Sequence, residues 1–242
     1  MKRTRARTAV ASLKRPRVAS KPAPLAPDKI AAEAVAELKR LASAKVRDGM
    51  GRYGIPSDKA LGVSVGTLHQ VARKIGRSQE VAELLWETGV YEARLLAAFV
   101  GEAEKLTVAG MDRWCRGFDN WAVVDTVCFK LFDRSPLAWG RVKPWARQRG
   151  EFQRRAGFVL LACLAAHGDP EEADLVRYLP LIEWGAADER NFVKKGVSWA
   201  LRMMGRKSPV VRSAARDTAQ KLADSENASA RWVGRDALRD LK

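Results

Sequence analysis

The chain has 242 residues, of which 47% are hydrophobic and 30% are charged. This length is ample to bury a core, and the composition is ordinary for a globular protein. No apolar run approaches the roughly 20 residues that cross a bilayer, so we expect no membrane span. Three scattered cysteines without a Cys-x-x-Cys motif and two histidines predict no disulfide framework and no metal centre.

The charge is strongly positive, with 44 Lys and Arg against 28 Asp and Glu, a net charge of +16 and a pI near 10.2. Such an excess favours polyanionic partners, either nucleic acid or an anionic membrane surface. A dispersed, solvated basic surface is the alternative that charge alone leaves open.

Residues 1–27 differ from the rest of the chain, since they hold eight basic residues, no acidic residue and a Pro-rich stretch at 21–27. This composition predicts a disordered basic arm followed by a stiff linker. The arm fits a nucleic-acid tether, a solubilising tail or an organelle-targeting (transit) peptide. Removing its eight charges leaves +8 for residues 28–242, which we expect to form the folded domain.

From Asp28 onward, apolar residues recur at helical spacing and the chain predicts one helix after another. The interval 49–66 is Gly-rich and predicts a loop, and Asp28, Ser64, Ser78 and Asp119 are candidate helix caps. The predicted helices before residue 133 cover 28–41, 64–75, 78–88, 90–104, 108–117 and 119–132.

A capping residue followed by proline occurs three times, at Ser135-Pro136, Asp169-Pro170 and Ser208-Pro209, with separations of 34 and 39 residues. A second, more apolar helix is predicted between each pair, over about 151–167 and 189–205. Helix pairs at this period are typical of HEAT or armadillo repeats. We therefore predict an all-α fold, a curved α-solenoid of about five to six HEAT-like helical repeats.

Familiar catalytic motifs for nucleotide, dinucleotide and zinc chemistry are absent. Among eight tryptophans, Trp121 shares a helix face with Asp125, four residues later, and Trp199 lies near Lys195 and Arg202. Asp125, Arg155 and Trp199 fall on successive second helices, which line the concave surface of a solenoid. Core packing of the indoles and a structural ion pair for Asp125 are the alternatives.

Several segments, in this order, resemble the AlkD-like DNA alkylation repair enzymes, a family of HEAT-like glycosylases that excise alkylated purines. The resemblance covers about residues 30–242. The segments that carry it are Arg52–Ile55, Gly62–Val65, Leu85–Gly89, Tyr91–Leu96, Asp119–Asp125, Lys143–Ala146, Gln153–Ala156 and Val193–Arg202.

The resemblance implies that Asp125 is the catalytic aspartate and that Trp121 and Trp199 are aromatic residues of the same site. It implies that Arg155 contacts the DNA backbone and that Tyr53 is an N-terminal aromatic in the site. Asn120 and Ala122 depart from some family members, which leaves the range of lesions open. With the neighbouring basic residues, the expected DNA-binding set is Arg155, Tyr53, Arg154, Lys195 and Arg202.

The expected activity is hydrolysis of the N-glycosidic bond of cationic alkylated purines, of the 3-methyladenine and 7-methylguanine type, in duplex DNA. In this interpretation Asp125 stabilises the oxocarbenium ion and positions water, and the nearby Arg155 helps to keep Asp125 ionised. We expect a monomeric, cytoplasmic, nucleoid-associated enzyme without metal or cofactor, or an organellar one if the arm is a targeting segment. The alternative is a non-catalytic HEAT-repeat protein that binds nucleic acid or acts as a scaffold through the same concave basic face.

Overall fold

The structure, a computed structural model, describes residues 25–242, so most of the predicted basic arm lies outside the described residues. The described part is helical, with no strand. Its fourteen α-helices are α1 Pro27–Arg40, α2 Ala44–Asp48, α3 Val65–Ile75, α4 Gln79–Glu87, α5 Tyr91–Val100, α6 Val108–Arg116, α7 Trp121–Lys130, α8 Trp139–Ala146, α9 Glu151–His167, α10 Glu172–Val176, α11 Leu179–Ala186, α12 Asn191–Gly205, α13 Pro209–Ala223 and α14 Ala228–Asp240.

The helices form two layers, as predicted for a helical-repeat solenoid. Helices α3, α5, α7, α9, α12 and α14 pack side by side, and we call them the inner layer. Helices α4, α8, α11 and α13 form the second layer. Each packs mainly on the inner-layer helix that follows it in the sequence, namely α5, α9, α12 and α14. The core lies between the layers, where large side chains such as Trp114, Phe132 and Phe158 are fully buried. No helix among the described residues is long and apolar enough to cross a membrane.

The predicted caps have a mixed outcome. Ser64, Ser78 and Ser208 each accept a backbone N–H of the first helical turn, as expected. The prediction for Asp28 is wrong, because α1 begins at Pro27 and Asp28 lies inside its first turn. The prediction for Asp119 is wrong too, because its carboxylate binds Arg94 at 3.1 Å, whereas the Oδ1 atom of Asn120 caps α7 by accepting the N–H of Val123 at 3.0 Å.

Two of the three proline signals do not open a helix directly. Ser135 and Pro136 form a turn in which the Ser135 hydroxyl accepts the Leu137 N–H, and α8 starts only at Trp139. The Asp169 carboxylate binds the Lys207 ammonium at 2.8 Å instead of a backbone N–H, and α10 starts at Glu172. The second helices, α9 and α12, lie where the sequence predicts them.

The interval 49–66, predicted as a loop, contains a 3₁₀ turn, Met50–Tyr53, and directly before it lies the short helix α2, which was not predicted. This segment is held to the body by Glu92, a fully buried carboxylate of α5. It accepts the backbone N–H groups of residues 61, 62 and 63 at 2.8, 2.6 and 3.2 Å. Gly62 has a φ of 81°, and a Cβ there would lie 2.1 Å from the carbonyl oxygen of Ser43, so only glycine fits.

Candidate DNA-repair site

A cavity of about 600 Å³ opens where the N-terminal halves of α7, α9 and α12 meet the 3₁₀ turn. We call it the Asp125 cavity. Its lining combines one carboxylate, three cations and three aromatic rings. The residues that line it are Arg52, Tyr53, Gly54, Trp121, Asp125, Arg155, Asn191, Phe192 and Lys195.

The central feature of the cavity is a bidentate ion pair. The Nε and Nη2 atoms of Arg155 donate to the two carboxylate oxygens of Asp125 at 2.9 and 2.7 Å. The Arg155 side chain is almost completely buried, whereas about a fifth of the Asp125 side chain (21%) remains exposed to the cavity. A planar guanidinium that holds both oxygens fixes the orientation of the carboxylate.

Burial raises the pKa of the Asp125 carboxyl above its ordinary value, and the charge and hydrogen bonds of Arg155 oppose that rise. A partly desolvated carboxylate exerts a stronger field on a nearby cation than one in bulk water. Asp125 can therefore act on positive charge that develops in the cavity, provided that it stays ionised.

Phe192 forms one wall of the cavity, and its backbone N–H and carbonyl groups are both hydrogen-bonded. Its N–H donates to the Glu151 carboxylate at 3.1 Å, and its carbonyl oxygen accepts from Nη1 of Arg155 at 2.7 Å. Gly54 faces the ring: its φ is 68°, and a Cβ there would lie 2.9 Å from Cζ of Phe192. A larger residue at position 54 would be strained and would crowd this wall.

The 3₁₀ turn is tied to α7 by Trp121, whose indole N–H donates to the carbonyl oxygen of Tyr53 at 2.8 Å. This bond fixes the edge of the indole ring, while the ring itself lines the cavity. Tyr53 is 63% exposed. Two aromatic rings, one fixed and one solvent-facing, thus lie at the entrance side of the Asp125 cavity.

The charge of the cavity is positive. Within the part of the chain that the structure describes, Arg52 and Lys195 form no ion pair, and Asp125 is the single acidic residue of the lining. Unpaired cations around one neutralised carboxylate suit a ligand that brings several negative charges, such as a phosphodiester backbone.

The structure brings together five of the residues that the sequence singled out, Asp125, Trp121, Arg155, Tyr53 and Lys195. Arg155 lies beside Asp125, as predicted, and three of its N–H groups donate within the protein, so the predicted contact with the DNA backbone stays a prediction. It positions Asp125 rather than projecting toward solvent.

The other three predicted residues do not line the cavity. Trp199 lies one turn beyond Lys195 on α12, half-buried against the core. Arg154 binds Asp188 at 2.7 Å and stacks over the Trp184 ring, 5.0 Å from its centroid. Arg202 lies 3.9 Å from Asp236 and donates to the carbonyl oxygen of Ser198.

Four lining residues were not predicted: Arg52, Gly54, Asn191 and Phe192. Asn191 and Phe192 precede Lys195 by four and three residues on one helix, so the helical period could have indicated them. No group of three or more His, Cys, Asp or Glu side chains within residues 25–242 could hold a metal ion.

The family model of the DNA alkylation repair enzymes matches residues 34–241. The chain belongs to this family. No curated protein matches it in sequence.

One similar solved structure belongs to a protein described as a member of "a new family of proteins related to the HEAT-like repeat DNA glycosylases with affinity for branched DNA structures". It has a TM-score of 0.71 and 18% identity, covering 86% of this chain and 94% of that one. This likeness confirms the solenoid fold.

Two designed armadillo repeat proteins, one in complex with the peptide (KR)4, match with TM-scores of 0.36 and 0.34 and identities of 11% and 14%. They cover 89% and 90% of this chain and 99% and 100% of their own chains.

Proposed function

We propose that this DNA alkylation repair family member is a glycosylase that hydrolyses the N-glycosidic bond of cationic alkylated purines in duplex DNA. The observation that carries the proposal is the Asp125 carboxylate, held by Arg155 in an aromatic, positively charged cavity. No cofactor or metal takes part in the proposed reaction.

The chemistry needs a carboxylate but no general acid. A purine alkylated at N3 or N7 carries a positive charge, so it takes both electrons of the C1′–N bond and leaves as a neutral base. The positive charge that remains on the sugar is stabilised by the anion of Asp125. Water then forms the new bond to C1′ and releases its proton, which Asp125 or solvent can accept.

The aromatic rings complement this charge distribution. A ring face attracts a cation within about 6 Å of its centroid, with a gain of about 0.5–2 kcal/mol. Trp121, Tyr53 and Phe192 can provide such faces to the cationic base or sugar, while Arg52 and Lys195 are free to contact phosphates. The cations are therefore expected to bind the backbone and the rings to hold the lesion.

The test is single-turnover release of 7-methylguanine from a methylated duplex at saturating enzyme, with Asp125→Asn compared with the wild type. Loss of one preorganised electrostatic stabiliser should slow excision by about 10²–10³. Affinity for undamaged duplex should not fall, since the substitution removes a negative charge. Asp240→Asn is a matched control, because Arg206 binds Asp240 in the same bidentate way outside the cavity. An excision rate for Asp125→Asn equal to that of the wild type would refute the proposal.

A non-catalytic DNA-binding function is the second candidate. It is favoured by the full use of both Asp125 oxygens in an ion pair, which a purely structural role would also produce. It also agrees with the affinity for branched DNA stated for the family of the similar solved structure. This candidate predicts duplex or branched-DNA binding by the wild type without release of any alkylated base.

A further inference from the structure

A second cavity, of about 340 Å³, opens between α3, α5 and the C-terminal end of α7. We call it the Lys130 cavity. Four cationic side chains line it and no acidic one does. The cations are Arg73, Arg77, Lys130 and Arg134, and His69 and Phe99 complete the polar and aromatic part of the lining.

These four cations have no salt-bridge partner within 4.0 Å among the described residues. Two acidic residues are close enough to interact with these cations through charge, Glu102 with Arg77 and Asp133 with Arg134, and both are bonded to other groups. Glu102 accepts from Lys105 and from the backbone N–H of Gln79, each at 2.9 Å, and Asp133 pairs with His167. Four like charges around one cavity repel one another, and an anionic ligand would relieve that repulsion.

Two stacked rings form part of the cavity lining. The imidazole of His69 stacks on the Phe99 ring with their centroids 4.3 Å apart. Arg77 is held at the rim, where its Nη1 donates to the carbonyl oxygen of Phe99 at 3.0 Å. A charge contact above such an apolar surface is stronger than one surrounded by water.

The Lys130 cavity belongs to the same layer of helices as the Asp125 cavity. On α7 the partly exposed residues Trp121, Asp125 and Phe129 recur every four positions, and Lys130 follows Phe129. The two cavities lie on either side of α7, because α9 and α12 line the first and α3 and α5 line the second. A polyanion long enough to extend across α7 would contact both.

We propose that the Lys130 cavity binds phosphate groups of the DNA backbone and that this second contact fixes how the duplex lies across the inner layer. The choice of DNA as the polyanion rests on the proposed function. Phosphate binding by the Lys130 cavity needs only unpaired cations and does not depend on base excision.

The test uses the full-length protein and undamaged duplex, titrated at several salt concentrations. The variants are Lys130→Gln, Arg134→Gln and the double variant, none of which alters the Asp125 cavity. Arg216→Gln is the matched control, because Arg216 is an exposed cation on α13, outside both cavities. Thermal unfolding of every variant checks that the fold is retained.

Each lost phosphate contact should reduce the slope of log K against log salt by about 0.9. The same relation gives an affinity loss of roughly fifteen-fold at 50 mM salt and roughly fourfold at 200 mM salt. Excision by saturating enzyme should be unchanged. Slopes equal to that of Arg216→Gln would overturn the proposal.

The competing ligand for the Lys130 cavity is a free phosphorylated molecule, and inorganic pyrophosphate serves as its probe. Pyrophosphate binding that is lost in the double variant, with the DNA slope unchanged, would overturn the DNA assignment. Because binding is measured on undamaged duplex, an absence of excision by the wild type would refute the proposed function and leave this test intact.

Discussion

Removal of Arg155 should affect the stability and the pH dependence of the protein together. The substitution Arg155→Met keeps much of the side-chain volume but removes the guanidinium that binds both oxygens of Asp125 and the carbonyl oxygen of Phe192. The Asp125 carboxylate then stays in a largely buried site without a cation.

Breaking a buried ion pair by deleting one partner costs about 3–5 kcal/mol of unfolding free energy. Asp125 retains 21% side-chain exposure, so water can partly replace the lost partner. We therefore expect the lower end of that range, about 3 kcal/mol at pH 7. The double variant Arg155→Met/Asp125→Asn removes the unpaired charge as well and should recover part of the loss.

The sign of the pH effect follows from the pKa of Asp125. Burial already raises it and Arg155 opposes the rise, so the variant should have a still higher pKa. A carboxyl whose pKa is higher in the folded than in the unfolded state favours folding at low pH. The stability deficit of Arg155→Met should therefore shrink as the pH falls from 7 to 5.

Two measurements check this reasoning, namely urea unfolding at pH 5 and pH 7 and single-turnover excision across the same range. In the proposed mechanism excision requires the ionised carboxylate, so the decline of the excision rate on the acid side should move to higher pH in Arg155→Met. Each unit of pKa change corresponds to about 1.4 kcal/mol. Two results together would refute the role of Arg155 as the residue that positions Asp125. Arg155→Met would be as stable as the wild type at pH 7, and its excision rate would decline over the same acidic pH range as that of the wild type.

Two further predictions concern the segment that carries Tyr53. Trp121→Phe removes the indole N–H that binds the Tyr53 carbonyl, so unfolding free energy should fall by about 1 kcal/mol and amide exchange in the 3₁₀ turn should accelerate. Unchanged exchange in that turn would contradict the role of the bond. Glu92→Gln places an amide NH₂ against backbone N–H donors of residues 61–63, so urea unfolding should show a loss of about 1–3 kcal/mol. Glu33→Gln, an exposed control, should not.

Local sequence signals accounted for much of the fold. The apolar spacing of α9 and α12 and the serine caps of α3, α4 and α13 predicted those helices closely, because caps and helical periodicity act over only a few residues. The caps failed where a side chain found a distant partner instead, as Asp169 did with Lys207, 38 residues away.

The candidate site, like the fold, was predicted only in part from the sequence. Trp121 and Asp125 were visible from the sequence by their spacing on one helix face, and the resemblance added Arg155 and Tyr53. Arg155 was expected near Asp125, but the sequence could not show that it binds both oxygens of that residue, 30 residues before it, whereas its neighbour Arg154 binds Asp188, 34 residues after it.

The sequence by itself therefore determined most of the helices, the basic character and the choice of one aspartate near one tryptophan. Only the tertiary structure decided which cations stay unpaired, that Phe192 closes the Asp125 cavity and that four cations meet around the Lys130 cavity. The physical reason is the separation along the chain over which each interaction acts. Helix formation depends on neighbours within about four residues, whereas an ion pair or a cavity wall depends on which helices the packing of the whole solenoid brings together.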